Sequence, residues 1–183
     1  MVALAGPNGA GKSTFYQAHL RPSGLRFVNA DQLALQWKLD PYRAADLAGE
    51  IRSALVDRGE SFIFETVFSD PVGEKLEFLQ MAALHGYTVV LFFVGIDGPE
   101  TSKERVTIRA LKGGHDVPDE KIQSRYARTM ENLRRALLAL PYVQVYDNSD
   151  LNHPYRRVAE LEEGTLRLFD PIPAWLAPLL PAR

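Results

Sequence analysis

A chain of 183 residues, 46% apolar and 24% charged, is long enough for one domain with a full core. Its net charge of −2, with no block of Lys or Arg, leaves no electrostatic footprint for nucleic acid. The absence of cysteine excludes disulfides, thiolate metal sites and a cysteine nucleophile. Residues 89–94, the longest apolar stretch, fall far short of the roughly 20 residues of a membrane helix, so no membrane span is expected. Residues 1–5 read as a strand rather than a signal peptide, and the expectation is a soluble, cytoplasmic protein.

That first apolar run fits a buried parallel strand. Directly after it, Gly6-Pro7-Asn8-Gly9-Ala10-Gly11-Lys12-Ser13 matches the G-x-x-x-x-G-K-[ST] phosphate-binding loop. Glycines let successive N–H groups turn toward a polyphosphate, Lys12 carries charge to the β/γ-phosphates, and the Ser13 hydroxyl can hold Mg²⁺. Residues 13–20 then open a helix whose N-terminal dipole favours the anion. The pattern predicts ATP or another nucleoside triphosphate, with a metal.

Residues 26–29, 61–64, 88–96 and 142–146 read as further strands, separated by helical stretches over 46–57, 73–85, 100–110 and 119–138. Five apolar strands alternating with helices predict an α/β fold, a five-stranded parallel sheet covered on both faces. Ligands of such sheets bind beyond the carboxyl ends of the strands, which singles out Gly6 onward, Asp31, Glu65, Asp97 and Asp147. Asp31 can accept the proton of an attacking substrate hydroxyl, or cap a helix from Gln32 onward. Glu65 can bind substrate hydroxyls or stand on the metal side of the phosphates.

Arg105 and Arg109 lie one helical turn apart, and Arg125 and Arg128 three residues apart on the next helix. Between them, Lys112-Gly113-Gly114-His115-Asp116-Val117-Pro118 is the kind of connector a mobile lid over phosphates needs. Acids Glu104, Asp119, Glu120 and Glu131 offer the alternative of a solvated, salt-bridged face. His115 is a lid contact or a loop residue, and Asp147-Asn148-Ser149 can touch an adenine edge or form a turn. Past residue 150, segments 157–160 and 165–169 flank Glu162-Glu163-Gly164 as a β-hairpin, and 171–180 reads as a short apolar helix. Trp175, Leu176, Leu179 and Leu180 either pack on the core or anchor a partner.

The motifs Gly6 to Thr14, Phe27-Val28-Asn29-Ala30-Asp31, Phe64-Glu65-Thr66, Gly113 to Pro118 and Asp147-Asn148-Ser149 together resemble the zeta-toxin-like family of P-loop kinases. The resemblance covers residues 1–150 and implies ATP- and Mg²⁺-dependent phosphorylation of a UDP-sugar such as UDP-N-acetylglucosamine, with an antitoxin protein as partner. It implies Lys12 and Ser13 on ATP and Mg²⁺, Asp31 as general base, and Glu65 with Thr66 on the acceptor. Lid arginines, Arg109 and Arg128 among them, would lie on the phosphates. The Gly-Gly-His-Asp-Val-Pro lid marks a branch different from the toxins of established substrate. The helix carrying Arg105 also resembles the one before the lid in adenylate-kinase-like enzymes, where the first arginine stacks on adenine. No LSGGQ-like or NKxD motif is present, which argues against transporter ATPases and guanine-reading GTPases. A nucleotide-dependent switch and a kinase for another metabolite remain alternatives.

Overall fold

The computed structural model describes residues 1–111 and 117–181. Strand β1 (Val2–Ala5) leads through the loop into helix α1 (Lys12–Phe15), which widens into a π turn over Tyr16–Leu20. Strand β2 (Arg26–Val28), helices α2 (Ala30–Trp37) and α3 (Pro41–Asp57), strand β3 (Phe62–Thr66) and helix α4 (Glu74–Leu84) follow. Next come β4 (Val90–Gly95), α5 (Gly98–Leu111), α6 (Asp119–Ala139), β5 (Tyr142–Asp147), β6 (Arg156–Glu162) and β7 (Thr165–Leu168).

All seven strands belong to one sheet, in the order β2-β3-β1-β4-β5-β6-β7. Strands β1 to β5 run parallel, while β6 and β7 add antiparallel beyond β5. The expected five-stranded parallel sheet with a separate hairpin is thus corrected to a seven-stranded mixed sheet. The physical reason lies in β5, which would otherwise leave its peptide groups on an open edge. Pairing satisfies them and buries Val158, Ala159 and Leu161 of β6.

Period-two alternation divides the core between the two faces of the sheet. Ala3, Phe62, Phe64, Leu91 and Phe93 pack with Leu79 of α4 and Leu133 of α6 on one face. Leu4, Ile63 and Val94 pack with Phe15 and Leu20 on the other. The first phosphate-loop helix is therefore rooted in its own apolar cluster.

Three expectations change in detail. Helix α2 was expected only through the alternative in which Asp31 caps a helix, although Ala30, Leu33, Ala34 and Trp37 fall at helical spacing; none of its residues is fully buried, and Ala30 and Leu33 pack only partly against the core. Helix α3 starts at Pro41, earlier than expected, where Asp40 accepts hydrogen bonds from the backbone N–H groups of Tyr42 and Arg43 at 3.0 and 3.1 Å. The expected helix over 171–180 is reduced to a 3₁₀ turn, Ala177–Leu179, since Pro171, Pro173, Pro178 and Pro181 carry no N–H to donate. Trp175 and Leu176 are buried in the core, which favours packing over an exposed anchor for these two residues. No described helix is long and apolar enough to cross a membrane.

Candidate functional site

The loop between β1 and α1 takes backbone conformations that only glycine adopts freely. Gly6, Gly9 and Gly11 have φ of 145°, 74° and 89°. A Cβ at Gly6 would stand 2.1 Å from the Val94 carbonyl oxygen, so the loop presses directly on β4. Ser102 of α5, fully buried, donates its hydroxyl to the Asn8 carbonyl at 2.5 Å, and Asn148 Nδ2 donates to the Ala10 carbonyl at 2.8 Å. The loop is thus held from three elements, β4, α5 and the end of β5.

Lys12 is buried, and its Nζ donates to the carbonyls of Gly6 and Pro7 at 2.9 and 3.1 Å. Burial lowers its pKa, Glu65 and Asp31 oppose that, and Arg109 lowers it further. Arg109 and Asp31 therefore both lie within electrostatic reach of the loop lysine. The Nζ also stands 4.0 Å from Glu65 Oε1.

Glu65, near the end of β3, is where the site converges. Its Oε2 accepts hydrogen bonds from Ser13 Oγ at 3.2 Å and from Asn29 Nδ2 at 2.9 Å. A hydroxyl beside a carboxylate fits a hard cation that takes oxygen ligands and keeps several from phosphate and water. No cluster of three or more Asp, Glu or His among the described residues could hold a metal by itself. Mg²⁺ would accordingly be shared between Ser13, the neighbourhood of Glu65, and a bound nucleotide.

Asp31 stands exposed in the first turn of α2. The cap of that helix is Asn29, whose side chain accepts from the Gln32 N–H at 3.0 Å. The capping alternative for Asp31 is thereby removed, and its carboxylate stays available. The signal was present in the sequence: Asn29 and Gln32 stand at the N-cap and N3 positions of a capping box. Thr66 Oγ1 accepts from the Phe68 N–H at 3.0 Å, which fixes the turn after β3.

The four arginines divide. Arg105 donates to the Asn148 and Ser149 carbonyls, each at 2.9 Å, which holds its guanidinium at the end of β5 by two bonds. Arg109 is exposed on the next turn of α5. Arg128 Nε donates to the Ser69 carbonyl at 2.8 Å, and Arg125 lies half-buried nearby on α6. Thr129 and Asn132 bond the same loop, at the Val67, Phe68 and Asp70 carbonyls, so α6 is laced to the segment after β3. Gly113, Gly114, His115 and Asp116 of the expected lid lie outside the described residues. Of the acids at α6, Glu131 pairs with Arg134 and Asp119 pairs with Lys103, as a solvated face would have it.

Sequence reasoning did not single out Ser102, Tyr155 or the network of Asp147. Tyr155 donates its hydroxyl to the Gly11 carbonyl at 3.0 Å from the segment just before β6. Nothing local marks such residues, since each acts on a partner far along the chain.

Residues 1–133 match the AAA_33 family, described as an AAA domain. No curated protein matches the chain. Among solved structures, the AvrRxo1-ORF1:-ORF2 complex with ATP superposes with a TM-score of 0.67 at 17% identity, covering 91% of this chain and 59% of that one. The PezAT chromosomal toxin–antitoxin system of Streptococcus pneumoniae gives 0.54 at 20% identity, over 80% of this chain and 68% of that one. Deoxyadenosine kinase of M. mycoides with bound dATP gives 0.50 at 17% identity, over 80% and 89%. At these identities the likeness is one of fold. The chain spans about three-fifths of the AvrRxo1 chain on which it superposes.

Proposed function

The chain belongs to the AAA_33 family of AAA domains, and on that premise we propose that it is an ATP- and Mg²⁺-dependent kinase of the zeta-toxin type, transferring a γ-phosphoryl group to a hydroxyl of a UDP-sugar. The observation that carries the transfer, as against simple hydrolysis, is Asp31: a carboxylate not used as a helix cap, exposed, and near enough to Lys12 to stabilise its charge. UDP-N-acetylglucosamine is the acceptor that the zeta-toxin resemblance favours. The ATP bound in the AvrRxo1 complex and the antitoxin of PezAT support, for this chain, the nucleotide and a protein partner.

Each side chain then has a defined task. Loop N–H groups and Lys12 hold the β/γ-phosphates and meet the charge that spreads during transfer. Bound Mg²⁺ would supply charge neutralisation to the phosphates. Ser13 offers it a hydroxyl, and Glu65 orients that hydroxyl. Asp31 takes the proton of the acceptor hydroxyl as its oxygen bonds to phosphorus and ADP leaves. Arg105 holds a flat face for the base, and Arg109, with Arg128 from the lid-bearing side, serves the phosphates.

Incubation of the purified protein with ATP, Mg²⁺ and UDP-N-acetylglucosamine, read by mass spectrometry beside Asp31→Asn, tests this reading. One added phosphate with the parent alone supports the kinase and its base. ATP binding with no phosphorylated sugar overturns the acceptor, and a screen of other hydroxyl metabolites then decides between kinase and switch. Equal turnover by Asp31→Asn overturns the base.

A further inference from the structure

The family match ends at residue 133, yet the chain beyond it reaches the nucleotide side of the loop. Asp147, the last residue of β5, is buried and accepts from the indole Nε1 of Trp175 at 3.0 Å. The same Oδ1 accepts from the Ser149 N–H at 3.2 Å and its hydroxyl at 2.5 Å. Arg156 fastens the C-terminal segment a second time, with Nη2 on Asp147 Oδ2 at 3.2 Å and Nη1 on the Pro171 carbonyl at 2.5 Å. The indole itself fills the space beside Gly95 at the end of β4.

This knot lies directly before the two carbonyls, of Asn148 and Ser149, that grip Arg105. The Asn148 side chain, 3% exposed, reaches the phosphate loop at Ala10 and leaves its own Oδ1 without a hydrogen-bond partner among the described residues. One short stretch therefore links the C-terminal strap, the arginine beside the loop and the loop itself. We infer that the strap centred on Trp175 orders the nucleotide site from outside the groups that bind and transfer the phosphates. By fixing the 147–149 turn it sets the plane of Arg105 on which a base stacks, so Trp175 and Arg156 are positioning residues for the nucleotide. The inference rests on the nucleotide reading given above.

The physical argument is one of order. A guanidinium held by two carbonyl bonds presents a stacking face only while those carbonyls stay in place. Their turn is fixed by a buried carboxylate, and hydrogen bonds to such a group are stronger than neutral ones. Trp175→Phe removes the indole N–H together with part of the ring volume and frees the turn, and a nucleotide must then order it on binding.

Trp37, exposed on α2, and Trp175 are the two tryptophans of the chain. In a Trp37→Phe background, Trp175 emission becomes the reporter, titrated with ATP and compared with ATP affinity by calorimetry. The expected result is a saturable change in Trp175 emission. With Trp175→Phe, ATP binding should weaken about tenfold, while kcat at saturating ATP stays within about twofold, because the transferring groups are untouched. A lowered Tm with unchanged ATP affinity, or emission blind to saturating ATP, overturns the inference. Should Trp175→Phe not fold, Arg156→Met removes the other tether, whose side chain is 32% exposed. Weakened ATP binding by that variant supports the strap, and parental affinity overturns it. A parent protein that binds no ATP overturns the kinase reading as well, so the two failures are distinct.

Discussion

Asn29 donates to Glu65 Oε2 at 2.9 Å and so ties the end of β2 to the end of β3. The other end of the same amide accepts from the Gln32 N–H, starting α2 and with it the turn that carries Asp31. One small side chain thus couples Glu65 to the helix turn that carries the candidate base. Asn29→Ala should remove the cap at a cost of about 1 kcal/mol, with the loss of the Glu65 contact in addition. Urea denaturation should show a lower midpoint at unchanged slope. An unmoved midpoint would mean that neither bond carries weight.

Glu65→Gln keeps the shape of the side chain but not its charge. Because Glu65 orients the Ser13 hydroxyl, the Mg²⁺ concentration for half-maximal phosphotransfer should rise about 10- to 100-fold. Mg²⁺ titration at fixed ATP checks this. A raised KM for the acceptor at unchanged Mg²⁺ dependence would instead assign Glu65 to the acceptor side.

Lys12→Ala removes the ammonium that the proposed mechanism sets on the phosphates during transfer. The expected loss in kcat is about 10²- to 10³-fold, measured under ATP saturation. Turnover at the parental rate would remove Lys12 from the chemistry.

The titration of Lys12 has a definite sign. Burial lowers its pKa from 10.5, so as pH rises the folded chain gives up this proton before the unfolded chain does. The unfolded state then binds more protons, and this group alone makes stability rise with pH in the window below 10.5. ATP affinity moves the opposite way, falling through the same window as the ammonium is lost. Calorimetric affinities across neutral to alkaline pH check this, and in Lys12→Arg the fall should vanish because the guanidinium stays charged.

A Cβ at Gly95 would stand 2.2 Å from the Trp175 ring. Gly95→Ala should therefore cost about 1–3 kcal/mol through overpacking, read as a lower Tm by calorimetry. A Tm within a degree of the parent would show that the indole has room to shift.

How much of this was legible in the sequence follows from where the information sits. Strands β1 to β5 are written as apolar runs and the phosphate loop as fixed spacings, so both could be read locally. That β6 extends β5 could not, because segments 157–160 and 165–169 around Glu162-Glu163-Gly164 predict a hairpin without saying whose edge it completes. Helix α2 was easy to pass over because its short stripe, Ala30, Leu33, Ala34 and Trp37, is only partly buried. Asp31 and Glu65 were marked by their place after strands, whereas Asn29 was passed over for the more conspicuous acid two residues on. Ser102, Asn148 and Tyr155 touch the loop across 94, 138 and 144 residues, and no spacing rule spans such distances.

The seating of β1 between β3 and β4 bears on synthesis. Ala3 pairs with Phe64 and with Leu91, so β1 waits during synthesis for partners made long after it. Sheets with such distant pairings close slowly. The Asp147–Trp175 tie is later still. A nascent chain therefore holds the residues of its phosphate loop well before the 147–149 turn is fastened, and a product cut between residues 149 and 175 would lack the tie to Trp175.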